Sequence, residues 1–181
     1  MAKKMLFTWL RDRGCKPRSV LDLACGRGGD LLKVAAAFET CVTYVGADVS
    51  EASVKELQRR ACEMSMQDAV TTFVCDACNV PVMPRSFDLA IMNFALHYFA
   101  DDAKHMEALL DKVASVLTPG GVFAGACVDW RQLRAGAHPG FILAPGATND
   151  LHVRPWGRKY RFSLPGCVDA DEYIVHWPSV V

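Results

Sequence analysis

The sequence predicts an α/β protein built on a doubly wound parallel sheet. Three observations carry this. Short apolar runs alternate five times with segments of helical periodicity between residues 19 and 128. The runs are continuously apolar, as in strands covered on both faces. The first run leads through Gly26, Arg27, Gly28 and Gly29 into a helix. Turns of that kind bring backbone close to a nucleotide-like ligand outside the carboxyl ends of the strands.

Each element follows from local signals. Residues 3–13 have amphipathic helical spacing. Residues 19–25 form the first strand, and 30–38, with Ala-rich apolar positions, the next helix. Residues 41–47 form the second strand. Ser50 caps a helix that runs to about residue 66. Strands three and four cover 70–75 and 87–93. A long helix over 101–117 ends at Thr118, Pro119, Gly120 and Gly121, a strong stop signal, and 122–128 is the fifth strand. Residues 131–160, rich in Gly, Pro, Arg and His, read as one long connection. Residues 160–164 are a further strand, and another element begins at 171. The expected organisation is one domain over 1–181, with a ligand-binding core over 1–129 and a substrate-side part over 130–181.

Composition narrows the function classes. About half of the 181 residues are apolar, which suits one domain with a real core. The formal net charge is +0, so any nucleic-acid contact must use local cation clusters. The eight cysteines are scattered through apolar runs. They read as small core residues of a reduced, intracellular protein. Cys75 and Cys78 form a lone C-x-x-C, read as thiols at a strand end rather than a zinc or redox site. The chain does not open with a signal peptide, and no apolar run reaches the roughly 18 residues of a membrane span.

Acids after successive strands indicate the ligand. Asp22 lies within the first strand. Asp48 ends the second, where a carboxylate accepts both hydroxyls of a ribose. Asp76 follows the third, where a carboxylate can accept from an adenine amino group. Together with the glycine turn they describe an adenosine site. The G-x-G-x-x-G spacing of dinucleotide binders is absent, so an adenosine carrying an amino acid, S-adenosylmethionine, fits best. A nicotinamide or flavin, or a glycine turn that holds nothing, are the alternatives.

Further stretches carry a family resemblance. They are LDLACGRGGDLLK at 21–33, ADVS at 47–50, SVKELQRR at 53–60, NFALHY at 93–98 and LTPGG at 117–121. KYRFS at 159–163 and VDADEY at 168–173 complete the set. In these the chain resembles the mRNA cap (guanine-N7) methyltransferases, from about Lys3 to Val181. The most specific pieces are Phe94-x-x-His97-Tyr98 and the Asp-Glu-Tyr segment. The resemblance implies the Rossmann-like fold of the class I S-adenosylmethionine-dependent methyltransferases.

It also implies roles by position. Lys3 holds the cofactor carboxylate. Ala24 and Gly26 approach the cofactor by backbone, Asp48 takes the ribose and Asp76 the adenine. Asn93 and Tyr98 line the cofactor pocket. His97 and Glu172 read the guanine, and Arg27, Lys33 and Arg60 lie toward the triphosphate. Capped RNA is the implied substrate and other capping enzymes the implied partners, with neither metal nor membrane. The implied place is the nucleus, or the cytoplasm in viral systems. Ala24 stands where the family usually has glycine, and Asn93 where it has glutamine. The family's asparagine-bearing segment before Lys3, and its last strands and an aromatic residue after Val181, have no counterpart here.

The implied chemistry needs no proton relay. Guanine N7 carries a lone pair and no proton, so positioning and electrostatics suffice and no residue is assigned as catalytic. Glu172 can accept from the N1–H and 2-amino group of guanine, a pairing that adenine does not offer. His97 can donate to O6. Arg154, Arg158, Lys159 and Arg161 could extend the cation track along RNA. Two other readings stand beside this one. One is a methyltransferase for another small molecule or base. The other is an inactive methyltransferase-like fragment or partner subunit.

Overall fold

In the computed structural model, which describes residues 2–129, 136–138, 141–143, 156–164 and 168–175, the five expected strands form one parallel sheet. They are β1 (Ser19–Leu23), β2 (Thr43–Asp48), β3 (Val70–Val74), β4 (Phe87–Asn93) and β5 (Leu117–Ala126), in the order β3-β2-β1-β4-β5. Order reverses after β3, so the carboxyl ends of β1, β2 and β3 lie side by side. This is the doubly wound topology expected, with its switch point beside β1.

The helices are α1 (Ala2–Asp12), α2 (Leu31–Ala37), α3 (Glu51–Glu63) and α4 (Ala103–Val116). Helix α1 buries Phe7 and Leu10, three residues apart, and Phe7 meets Phe38 edge-on at 6.1 Å between ring centroids. Helix α3 begins as expected: the Ser50 side chain accepts from Ser53 N–H at 3.3 Å. It buries Val54, Leu57 and Ala61 along one stripe. Strand interiors such as Val20, Leu21, Leu23, Leu89, Ala90 and Ile91 are fully buried, as continuous apolar runs require.

The chain groups into two compact units. One joins Met1–Asn93 to Leu109–Ala126, and the other joins Phe94–Ala108 to Cys127–Val181. The second unit contains an antiparallel sheet that the sequence reading treats mostly as connection. Its strands are β6 (Gly136–His138), β7 (Phe141–Leu143), β8 (Lys159–Leu164) and β9 (Val168–Tyr173), in that order. Three-residue strands are too short to leave a period in sequence, which is why 131–160 read as loop.

Other boundaries move for physical reasons. A single 3-10 turn at Leu96–Phe99 precedes α4, which is shorter than the 101–117 expected. Strand β5 starts at Leu117 rather than 122: Phe87 pairs with Leu117 and Leu89 with Val122, so Thr118, Pro119, Gly120 and Gly121 form a bulge within the strand. Pro119 is tolerated there because a bulge needs no ladder donor. Strand β9 begins at Val168, before the 171 expected. Among the seven described cysteines, all free, only Cys25 is buried, and Cys62 is exposed. The reading of cysteines as core residues therefore holds for Cys25, and in part for Cys15 and Cys41, which are half-buried and pack against the core, but not for the exposed Cys62. No helix among the described residues is long and apolar enough to cross a membrane.

Candidate functional site

The glycine turn is built by three left-handed residues. After β1 the backbone takes φ 55° at Ala24, 53° at Gly26 and 70° at Gly28. Glycine adopts this region freely, whereas an L-alanine is strained there by roughly 1–2 kcal/mol. Gly28 N–H donates to Cys25 O at 3.1 Å, closing the turn. A side chain at Gly28 would also collide with Leu57 of α3, whose Cδ1 lies 2.5 Å from the position of a Cβ. The turn is thus pressed against α3 as well as bent.

Asp48 fastens this turn to the next. Its Oδ2 accepts Gly26 N–H at 2.8 Å and its Oδ1 accepts Ser50 N–H at 2.9 Å. Each oxygen keeps a second lone pair. Asp76 lies one strand further along, its Oδ1 accepting Cys78 N–H at 2.8 Å. Both carboxylates are half-buried at adjacent strand tips. Donor-hungry acids beside a backbone bend fit an adenosine with its two ribose hydroxyls and one amino group.

Two buried acids support the turn from below. Asp22 accepts a hydrogen bond from Tyr44 Oη and is 1% exposed. Burial pushes its carboxyl up to about 7, against the lowering effect of the Tyr44 bond and with a further push from Asp30. Asp30, 3% exposed, gathers three donors: Lys3 Nζ at 2.8 Å, Lys33 Nζ at 3.3 Å and Asn93 Nδ2 at 3.1 Å. Asn93 Oδ1 in turn accepts Ala126 N–H at 3.0 Å. The sequence reading names Lys3, Lys33 and Asn93 but misses Asp30, which joins them. Its signal was an acid set directly between a glycine turn and an apolar helix.

The cations assigned to the triphosphate differ in state. Arg27 is exposed on the turn. Lys33 is held by Asp30 and by the Gly29 carbonyl. Arg60, in the last turn of α3, is bound to Glu56 at 2.9 Å. Of the later cluster, Arg161 pairs with Asp171 at 3.2 Å, Lys159 lies over the Tyr173 ring at 5.3 Å, and Arg154 falls outside the described residues. These hairpin cations are largely engaged across the strands.

The second unit brings His97 and Glu172 together. His97 sits in the 3-10 turn at 4% exposure, and Glu172 in β9 at 5%. Nε2 of His97 lies 3.4 Å from Glu172 Oε1. That is an ion-pair distance without hydrogen-bond alignment, so neither ring nitrogen has a hydrogen-bond partner among the described residues. A buried polar side chain in that state is rare and marks a place where another group can bind. The Tyr98 ring lies tilted against His97, with ring centroids 4.1 Å apart, and is itself 43% exposed. Tyr160, which the sequence reading does not name, donates to Glu172 Oε2 at 2.5 Å. Burial raises the Glu172 carboxyl, but the polar contacts from His97 and Tyr160 outweigh it and hold the group below the usual carboxylate range. Glu172 is therefore an anion at neutral pH.

A model of the methyltransferase domain family matches residues 20–121, more than half of the chain. The chain belongs to the methyltransferase domain family. The match runs from β1 to the β5 bulge, which is the part that carries the turn, Asp48 and Asp76.

This methyltransferase is similar to curated proteins named mRNA cap guanine-N(7) methyltransferase. It is 30% identical to one from Drosophila melanogaster, over 90% of this chain and 43% of that protein. It is 32% identical to one from Oryza sativa subsp. japonica, over 86% and 48%. The chain thus spans about half the length of the curated relatives it matches. Among solved structures, a protein from Pyrococcus horikoshii OT3 shares the fold with TM-score 0.69 and 19% identity, over 99% of this chain and 77% of that one. A geranyl diphosphate methyltransferase solved with SAM superposes with TM-score 0.59 and 22% identity, over 70% of this chain and 48% of that one. The fold expected, that of the class I methyltransferases, is the fold found.

Proposed function

We propose that this methyltransferase transfers a methyl group from S-adenosylmethionine to N7 of the guanosine cap of mRNA. The observation that carries the reading is the buried Glu172–His97 pair, an anion beside an unsatisfied imidazole. That pairing suits the guanine edge, which offers N1–H and the 2-amino group to a carboxylate and O6 to a donor. The curated relatives support the same choice by name.

S-Adenosylmethionine supplies an electrophilic methyl, which guanine N7 can accept without a general base because it bears a lone pair and no proton. The chain's own part is to hold and orient. Asp48 takes the ribose hydroxyls on its remaining lone pairs, and Asp76 the adenine amino group. Ala24 and Gly26 present backbone, and Lys3, steadied by Asp30, faces the carboxylate of the amino-acid end. Asn93, bonded to the same Asp30, belongs to that pocket. Glu172 fixes the base and lies ready for the positive charge that methylation creates on it, a preorganised stabilisation. Arg27, Lys33 and Arg60 serve the triphosphate, for which Lys33 and Arg60 must loosen their present pairs. Capped RNA is then the substrate, other capping enzymes the natural partners, and the nucleus the place of action.

The test is methyl transfer from labelled S-adenosylmethionine to GpppN-RNA, with ApppN-RNA and free nucleosides as comparators. Glu172→Ala is expected to keep its affinity for S-adenosylhomocysteine and lose about 100-fold or more in cap methylation, as two hydrogen bonds to a charged group disappear. Equal turnover by the variant would place the guanine reader elsewhere. Faster methylation of a free nucleoside or small amine than of capped RNA would favour the other-substrate reading.

A further inference from the structure

We infer that Tyr160 is a positioning residue for guanine recognition, setting the orientation of Glu172 so that both carboxylate oxygens are committed to one geometry. The inference rests on the reading of Glu172 as the guanine acceptor and goes beyond it to the residue that aims it. Tyr160 and Glu172 are direct partners across the β8–β9 ladder. Tyr160 is 3% exposed, and its hydroxyl donates to Oε2 at 2.5 Å. On the other side His97, from the 3-10 turn, faces Oε1 at 3.4 Å. The carboxylate therefore stands between a phenol and an imidazole supplied by two different elements.

A glutamate has three side-chain torsions, and a carboxylate reading two donors must lie in the plane of the base. Ordering those torsions costs side-chain entropy on binding when no neighbour has done it already. A fixed phenol hydroxyl does so before the ligand arrives. It also leaves one lone pair on Oε2 and, beside His97, those of Oε1 for donors from a base. The hydroxyl gives its only proton to Glu172, so Tyr160 acts through the carboxylate.

Among the described residues, the titratable groups facing the Glu172 carboxylate are His97 from the 3-10 turn and Tyr160 from β8. Losing the phenol leaves burial less opposed, so the Glu172 carboxyl would rise. The acid limb of any binding that needs the anion would then move to higher pH.

The experiment is calorimetric titration of the full chain, loaded with S-adenosylhomocysteine, with the dinucleotides GpppG and ApppG across pH 5 to 8. Comparison of wild type with Tyr160→Phe and Glu172→Gln reads binding without needing turnover. Tyr160→Phe is expected to bind GpppG about tenfold more weakly, to lose part of its preference over ApppG, and to show its acid limb at higher pH. Its S-adenosylhomocysteine affinity should match wild type, which separates positioning from a general loss of structure. Where methylation is measured, KM for capped RNA should rise more than kcat falls. A Tyr160→Phe protein with unchanged GpppG affinity, base preference and pH profile overturns the positioning role while Glu172→Gln still loses the preference. Wild type that binds GpppG and ApppG alike overturns the guanine reading itself.

Discussion

Asp22 pairs a polar side chain with a setting that favours its neutral form. It lies in the centre of a parallel sheet, bonded to Tyr44, with its carboxyl raised to about 7 by burial. An acid whose folded pKa lies above its unfolded value binds its proton more tightly in the native state. Stability is then lost as pH rises from about 4 to 7, and the loss levels off above that range. Glu172 and Asp88 are shifted the other way, so their stabilising share is lost only as pH falls below the usual carboxylate range. The two effects occupy different windows. Asp22→Asn, neutral at every pH and able to accept from Tyr44, should flatten the decline between pH 5 and pH 8. Urea unfolding at both pH values checks this, with an expected difference of a few kcal/mol, roughly. Parallel decline in both proteins would mean Asp22 is ionised in the native state. At the same scale, Ala24 shows how far the residues alone could lead. Its place in the turn was legible from the glycines that follow it, but its left-handed φ of 55° was not, because alanine rarely adopts one.

At the scale of elements, the decisive contact is the glycine turn against α3. Gly28 combines a positive φ with a missing side chain that Leu57 would otherwise strike. Gly28→Ala should cost about 2–4 kcal/mol, the sum of a left-handed alanine and an overpacked neighbour. In a chain of this length that lowers Tm by roughly 5–15 °C, readable by calorimetry. A Tm within 2 °C or so of wild type would mean that α3 can shift aside. The helices were legible from their regular period and the five parallel strands from their continuous apolar runs. The 118–121 bulge was not: the same Thr, Pro and Gly residues stop a helix and interrupt a ladder, and only the pairing of Phe87 with Leu117 decides between them. The antiparallel sheet of the second unit was only partly legible: 160–164 read as a strand, but β6 and β7, three residues each, are too short to leave a pattern.

For the whole molecule, charge is the informative quantity. A formal net charge of +0 gives no long-range attraction to RNA, so the affinity for capped RNA that the proposed function requires must come from a few local cations. Arg27 is exposed, while Lys33 and Arg60 are already paired with acids. Replacing all three with alanine should make the dependence of log K on log salt for capped RNA shallower by about 1–2 units. Fluorescence titrations between low and moderate salt measure that slope. An unchanged slope would assign the phosphate contacts to other residues. Uncapped RNA of the same sequence with a 5′-hydroxyl, which lacks the triphosphate that these residues serve, should lose less affinity than capped RNA.

The sequence by itself determined the alternation of strands and helices along the chain, the glycine turn and the acids at the tips of β2 and β3. All of these are written in local periods and in residue types at fixed offsets along one strand–turn–helix unit. Only the tertiary structure decided that Asp30 collects Lys3, Lys33 and Asn93, and that Tyr160 and His97 hold Glu172 between them. Those contacts join residues 27 to 75 positions apart, except across the β8–β9 ladder and within the first turn of α2. Their existence depends on register and burial, which no local pattern in the chain records.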